Sequence, residues 1–207
     1  MSRKSCDIIK QDNQIVVIAS STGGPKALMR VLPKLPENLN APVLIVQHMP
    51  AGFTRSLSDR LDAMSSLHVV EAEDGMTVRK GYAYMAKGGL HMELKCRHTG
   101  DELRLFDGDP REGVKPCANY LFESLAKSGY QQIVCVVLTG MGADGRNGIR
   151  YLKDSKPIVV ITQNKETCAV YGMPRAVDLA GLTDESVPLD KVAETITKYV
   201  GVMKDGC

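Results

Sequence analysis

The 207-residue chain lacks a charge excess of either sign. A formal net charge of +2 with 24% charged residues leaves no polybasic tract, so nucleic acid is not expected as the principal partner. It also lacks a long apolar run: no stretch reaches the roughly 18 apolar residues of a membrane span. The polar, mixed-charge segment from Met1 to Gln14 has no apolar core of signal-peptide length. The expectation is a soluble, cytoplasmic protein with no direct membrane insertion. Cysteine is present but unpatterned. The six residues Cys6, Cys96, Cys117, Cys135, Cys168 and Cys207 form no CxxC pair and no zinc-type spacing, which fits reduced thiols. His68, His91 and His98 stand at no ligand spacing from Asp, Glu or Cys, so neither metal nor cofactor is expected. Internal repeats, low-complexity segments and linkers are missing as well.

What the sequence does contain is an alternation of apolar strand-like runs with segments of helical period. Ile15 to Ala19 is a β-branched run that breaks into Ser20-Ser21-Thr22-Gly23-Gly24-Pro25. Pro25 suits the first turn of a helix whose apolar face is Leu28, Val31, Leu32 and Leu35, with Pro33 ending or kinking it early. Pro42 to Gln47 reads as the next buried strand, followed by a helix carrying Phe53, Leu57, Leu61 and Met64. Between His68 and Asp109 the runs shorten, and the turn-forming stretch from Arg97 to Asp101 predicts an antiparallel hairpin within residues 82–107. A helix from about Cys117 to Ser128 precedes Ile133 to Leu138, the most apolar strand and a candidate for the sheet centre. A short helix with Ile149 and Leu152 inward, a strand from Pro157 to Thr162 and a C-terminal helix opening near Asp190 complete the pattern. The fold class expected is α/β, a doubly wound, mostly parallel sheet flanked by helices, with residues 1–14 as a tail and 15–207 as one domain.

Chemistry-bearing residues stand where the strands end. Ser21 and Thr22 follow the first strand, His48 the second, Asp144 the strand ending at Leu138, and Gln163-Asn164 the strand ending at Thr162. In an open parallel sheet these ends share one edge, where ligands bind at the switch in strand order. A serine, an imidazole and a carboxylate meeting there constitute a hydrolytic triad. Each residue also has a plainer reading: Ser21 and Thr22 as helix caps, His48 as a satisfied structural histidine, Asp144 as a turn residue. Cys168 has no base nearby and reads as a small buried thiol. Most of the ten methionines read as core, while Met49, Met141 and Met173 occupy expected turns near the crevice and are candidates to line a substrate channel. Two rivals stand beside a hydrolase. A phosphate-binding module would use Ser21 to Gly24 at the helix mouth, although the Walker GxxxxGK[ST] run and a GxGxxG with a ribose-binding acid are missing. A catalytically silent docking domain is the other.

The ordered motifs Ser21-Thr22-Gly23-Gly24, Gln47-His48-Met49-Pro50, Gly52-Phe53-Thr54, Glu71-Ala72-Glu73-Asp74-Gly75, His91-Met92-Glu93-Leu94, Leu138 to Gly142 with Asp144-Gly145, and Gly172-Met173-Pro174 resemble the catalytic domain of the chemotaxis protein-glutamate methylesterases, the CheB family. The resemblance runs from about Ile15 to Val200. It implies hydrolysis of glutamyl γ-methyl esters in the cytoplasmic helical region of methyl-accepting chemoreceptors, and in some members deamidation of receptor glutamines. It also implies Ser21 as nucleophile, His48 as general base and Asp144 as orienting acid. Thr22 and Met141 fall on supporting positions, the methionine through its backbone N–H at the oxyanion. Regulated members carry an N-terminal phospho-receiver domain, for which this chain starts too close to its first strand; a receiver in a longer protein stays open. Three departures set limits: Ala19 where glycine is usual, a slight change to the turn before Ser21 that alanine is small enough to allow, and Asn119 and Lys165 where acids are common, which remove no triad member but are expected to alter the rim and hence receptor choice.

Overall fold

The computed structural model describes residues 13–97 and 100–203; the expected tail therefore lies almost wholly outside the described residues, as do His98, Cys6 and Cys207. Strand β1 (Gln14–Ser20) is buried at every position, which is why its sequence shows no polar alternation. It pairs in parallel with β2 (Val43–Gln47) on one side and β7 (Gln132–Val137) on the other. The remaining strands of this sheet are β3 (His68–Glu71), β4 (Tyr82–Met85), β8 (Ile158–Gln163) and β9 (Glu185–Val187), in the order β3-β4-β2-β1-β7-β8-β9. All pairings in it are parallel. The middle strand is β1, with β7 beside it, rather than the more apolar β7.

Two helical layers cover the sheet. Ile15, Val17 and Ala19 point into the core shared with α3 (Ala118–Ser124), α4 (Arg146–Ser155) and α5 (Met173–Leu179), whose inward residues include Phe122, Ile149, Leu152 and Val177. Val16 and Ile18 point into the opposite core, with Leu28 and Val31 of α1 (Gly24–Val31), Leu61 of α2 (Phe53–Asp62) and Ile196 of α6 (Val192–Val200). The doubly wound expectation stands. An antiparallel two-stranded sheet, β5 (His91–Lys95) with β6 (Glu102–Phe106), packs Met92, Leu94 and Leu103 onto the first core.

The hairpin is narrower than expected. Tyr82 to Met85, read as part of it, is instead a parallel strand between β3 and β2; a strand of four residues carries too little pattern to declare its direction. Pro33 acts as foreseen: α1 stops at Val31 and a 3-10 turn, Leu32–Lys34, follows. The helix expected to Ser128 gives way at Leu125 to a 3-10 turn, and another such turn, Leu189–Lys191, precedes α6. Because the chain leaves β1 for β2 on one side and returns as β7 on the other, the switch in strand order falls between β1 and β7. Their carboxyl ends open a crevice there.

Candidate active site

At the crevice β1 and β2 end in register, Ser20 opposite Gln47. Ser20 Oγ donates to Gln47 Oε1 at 2.7 Å, and Gln47 Nε2 donates to the carbonyls of Ser21 at 2.9 Å and His48 at 3.1 Å. The His48 N–H in turn donates to the Ser20 carbonyl at 3.0 Å. One buried amide thus laces the turn carrying Ser21 to the turn carrying His48. Glycine is required at position 24, where a Cβ would lie 1.9 Å from Gln47 Oε1. On the β7 side the Ser21 N–H donates to the Thr139 carbonyl at 3.1 Å. A Cβ on Gly140 would come within 2.8 Å of Ser21 Cβ, so that glycine lets the two strand ends close together.

Asp144 is the most densely engaged side chain in the crevice. Its carboxylate accepts from the Ala118 N–H at 2.6 Å, the Asn119 N–H at 3.0 Å, its neighbour Gly145 N–H at 2.8 Å and the Cys117 thiol at 3.0 Å. Its Oδ2 meets His48 Nε2 at 2.7 Å. Burial pushes this carboxyl up, but the bonds from His48, Cys117 and Ala118 outweigh burial and hold it below the usual carboxylate range. Asp144 therefore stays ionised and fixes the Nε2–H tautomer of His48. The other ring nitrogen, His48 Nδ1, is buried with no hydrogen-bond partner. Ser21 is half-buried, and its Oγ makes no hydrogen bond among the described residues. The structure joins His48 to Asp144 directly and ties the Ser21 turn to the His48 turn through Gln47 and the backbone, without a hydrogen bond from Ser21 Oγ to the imidazole.

The plainer readings fare unevenly. Neither Ser21 nor Thr22 caps α1: Gly23 occupies the N-cap and no side chain caps the helix. Asp144 does serve its own turn, through Gly145, but that is one bond among several. A phosphate cradle at Ser21 to Gly24 loses donors, since the Ser21 N–H is engaged by Thr139 and the Gly24 N–H by Ser21. Thr22 is exposed and its carbonyl accepts from Thr139 Oγ1 at 3.0 Å. Met141 is 74% exposed. The N–H groups of Thr22 and Met141 have no backbone partner among the described residues, which leaves them as donors at the crevice. Met173 departs from expectation: it opens α5 fully buried rather than lining a turn. Cys168 is half-buried, and burial pushes its thiol up to about 11, which leaves it a poor nucleophile.

Several supporting residues escaped the sequence reading. Burial, then the neighbouring Asp144 carboxylate, pushes the Cys117 thiol up to about 12, so it remains a donor. His91 is fully buried, with Nδ1 accepting the Cys117 N–H at 3.2 Å and Nε2 therefore donating to the Asp109 carbonyl at 3.0 Å. Asn119 corrects the expectation of a rim position. It is fully buried beneath the Asp144 turn, its Oδ1 accepting from Gly145 at 3.1 Å and Gly148 at 2.7 Å while Nδ2 donates to Glu112 at 3.0 Å. Ala19 lies inside β1, paired on both sides and two residues before Ser21. Lys165 is exposed, as a rim residue should be. The signal that could have found Gln47 is its polarity at the end of a wholly buried apolar strand.

Comparison with known proteins bears on the family and the fold. A family model described as CheB methylesterase matches residues 16–196. A protein-glutamate methylesterase/protein-glutamine glutaminase 1 of Syntrophomonas wolfei is 45% identical over 188 residues, covering 89% of this chain and 53% of that protein. A protein-glutamate methylesterase/protein-glutamine glutaminase 2 of Photobacterium profundum is 47% identical over 188 residues, covering 91% and 48% respectively. The chain thus spans about half the length of the curated relatives it matches. Among solved structures, the CheB methylesterase catalytic domain of Thermotoga maritima superposes with a TM-score of 0.87 at 42% identity, covering 91% of this chain and 99% of that one.

Proposed function

The chain belongs to the CheB methylesterase family, and on that premise we propose that residues 15–207 form a serine hydrolase acting on glutamate γ-methyl esters of methyl-accepting chemoreceptors. The same acyl chemistry extends to the side-chain amide of receptor glutamines, as the double name of the relatives suggests. The setting is the cytoplasm, at the receptors' helical region. No helix among the described residues is long and apolar enough to cross a membrane. The additional length of the relatives leaves room for a regulatory receiver domain in a longer protein.

One observation carries this reading: an imidazole clamped at Nε2 by an ionised buried carboxylate, with its Nδ1 buried and unpaired, while Ser21, tied by its carbonyl to the same Gln47 amide as His48, has a hydroxyl with no hydrogen bond among the described residues. In the mechanism, His48 Nδ1 takes the Ser21 proton as Oγ attacks the γ-carbonyl carbon. The negative charge that develops on the carbonyl oxygen is received by the N–H groups of Thr22 and Met141, where one such donor is typically worth about 3 kcal/mol. The imidazolium returns its proton to the leaving methoxide, giving methanol, or to the amide nitrogen, giving ammonia. Water, deprotonated by the same imidazole, then hydrolyses the glutamyl-Ser21 ester to glutamate and free serine. Asp144 contributes by orientation and by stabilising the charged imidazole.

Two measurements test the reading. Mass spectrometry of methylated receptor peptides incubated with the protein should show loss of methyl groups at glutamyl positions. A serine-directed fluorophosphonate should label Ser21. A protein that leaves the esters intact and the serine unlabelled is the silent docking domain instead.

A further inference from the structure

Next to the crevice, α4 and α5 frame a groove of about 590 Å³ that starts at Gly142, two residues before Asp144, and runs to Leu179. Its walls carry Arg146 and Arg150, one helical turn apart on α4, and Arg175 on α5, and no acidic side chain lines it. Among the described residues none of these guanidinium groups is paired with a carboxylate; Arg146 Nε donates only to the Asn147 amide oxygen, at 3.1 Å. The hairpin side of the molecule differs. There Arg97, Arg104 and Arg111 are matched with Glu102, Glu93 and Glu123. The nearest candidate acid on α5, Asp178, is engaged by the hydroxyls of Thr162, Tyr171 and Thr183. Leu179, 76% exposed, and Met141, 74% exposed, add apolar surface at the two ends.

Resting on the esterase reading, we propose that this groove is a specificity subsite that binds carboxylates of the protein substrate flanking the target glutamyl group. The complementarity has a direct chemical source. Each turnover converts a neutral ester or amide into a glutamate, so a substrate segment with several target positions gains negative charge as it is processed. Arginine offers a planar fork suited to carboxylates. A neighbouring glutamate seated among Arg146, Arg150 and Arg175 would hold the remaining ester at Ser21. The product of one reaction thereby improves the substrate of the next, and glutamyl positions beside a free glutamate are hydrolysed first.

The test uses two peptides, each with one glutamyl γ-methyl ester, differing only in whether the neighbouring positions are Glu or Gln. Turnover is followed by mass spectrometry, and binding of the corresponding ester-free peptides by fluorescence anisotropy. The acidic peptide should show KM and Kd lower by about tenfold, the scale of a few partly exposed charge pairs, with the difference shrinking as salt rises. In Arg146→Gln/Arg150→Gln/Arg175→Gln, with folding verified by circular dichroism, the acidic peptide should behave as the neutral one does with the unaltered protein. Equal affinities for the two peptides, or a preference that survives in the triple variant, overturns the subsite. Should neither peptide be hydrolysed, the esterase reading fails, while the binding comparison still decides the groove.

Discussion

The imidazole of His48 has two sides, and they are built differently. On the Nε2 side Asp144 is buried and held by the Cys117 thiol, by the N–H groups of Ala118, Asn119 and Gly145, and by the ring itself. On the Nδ1 side nothing is bonded among the described residues, and Ser21 Oγ has no hydrogen bond among them either. The Nε2 side is over-determined and the Nδ1 side is left free; in the proposed mechanism these are the orienting and the reacting halves. On that proposal the difference has a physical reason: a carboxylate that only orients gains from every donor, whereas a hydroxyl that is to act as a nucleophile is weakened by each hydrogen bond it accepts. Stability and activity should therefore separate across the ring.

The sharpest division is expected at Ser21. Ser21→Ala removes a side chain with no hydrogen-bonding role, so urea unfolding should shift by less than about 0.5 kcal/mol. Turnover of methyl-ester peptide should fall by about 10⁴-fold or more. If the variant melts early instead, Ser21 is part of the scaffold and the two sides are not distinct.

Asp144→Asn should lose on both counts. The amide cannot accept from all the N–H groups that now converge on the carboxylate, and stranding buried donors costs about 3 kcal/mol. For a domain of this size that is a fall in Tm of roughly 6–12 °C. Turnover should drop by about 10⁴-fold because the imidazole tautomer is no longer fixed. A variant as stable as the original protein, measured by calorimetry, would show that the carboxylate's partners are incidental.

Gln47 belongs to neither side but ties them, and it calibrates the comparison. Gln47→Leu keeps the volume and strands the Ser20 hydroxyl and the carbonyls of Ser21 and His48. We expect stability to fall by about 2 kcal/mol and kcat by about tenfold to a hundredfold, with KM little changed, since misplacement of the reacting groups is felt in the chemical step. An unaltered kcat would mean that the strand ends hold Ser21 and His48 together without the amide.

How much of this could be read from the chain follows the range of the interactions. The placement of Ser21, His48 and Asp144 at one sheet edge was legible because each directly follows a strand or its turn, and parallel pairing brings strand ends to one edge. The two helical faces were legible too, since Leu28, Val31, Ile149 and Leu152 repeat at helical spacing. The elements α5 and β9 were not: the first is seven residues beginning Met173-Pro174, and the second is three residues none of which is buried. Tyr82 to Met85 was assigned to a hairpin because four residues do not distinguish parallel from antiparallel pairing. The roles of Gln47, Cys117, His91 and Asn119 depend on contacts across 25 or more positions, and no local pattern encodes those. Asn119 was misjudged for the same reason, a polar residue assumed to be at the surface.

The smallest expected effect probes a single donor on the orienting side. Cys117→Ala deletes the thiol that donates to Asp144 Oδ1 and leaves the N–H donors in place, so stability should fall by about 1 kcal/mol near neutral pH. The pH dependence makes the assignment specific. The Asp144 carboxyl titrates below its ordinary range in the folded protein; its contribution is therefore present above the unfolded value, about 3.9, and is lost as pH falls through the folded value. Removing a donor to the ionised form raises the folded value towards the unfolded one. The contribution becomes smaller, and its loss, which begins near the unfolded value in both proteins, is complete at a higher pH. Urea unfolding of the two proteins from pH 7 down through the folded value of the carboxyl, which lies below the ordinary range, should show their stabilities converging once the carboxylate is protonated in both. Cys117→Ser, which restores a donor, should recover the original profile. If Cys117→Ala and the unaltered protein differ by the same amount at every pH, the thiol contributes packing rather than a hydrogen bond to the carboxylate.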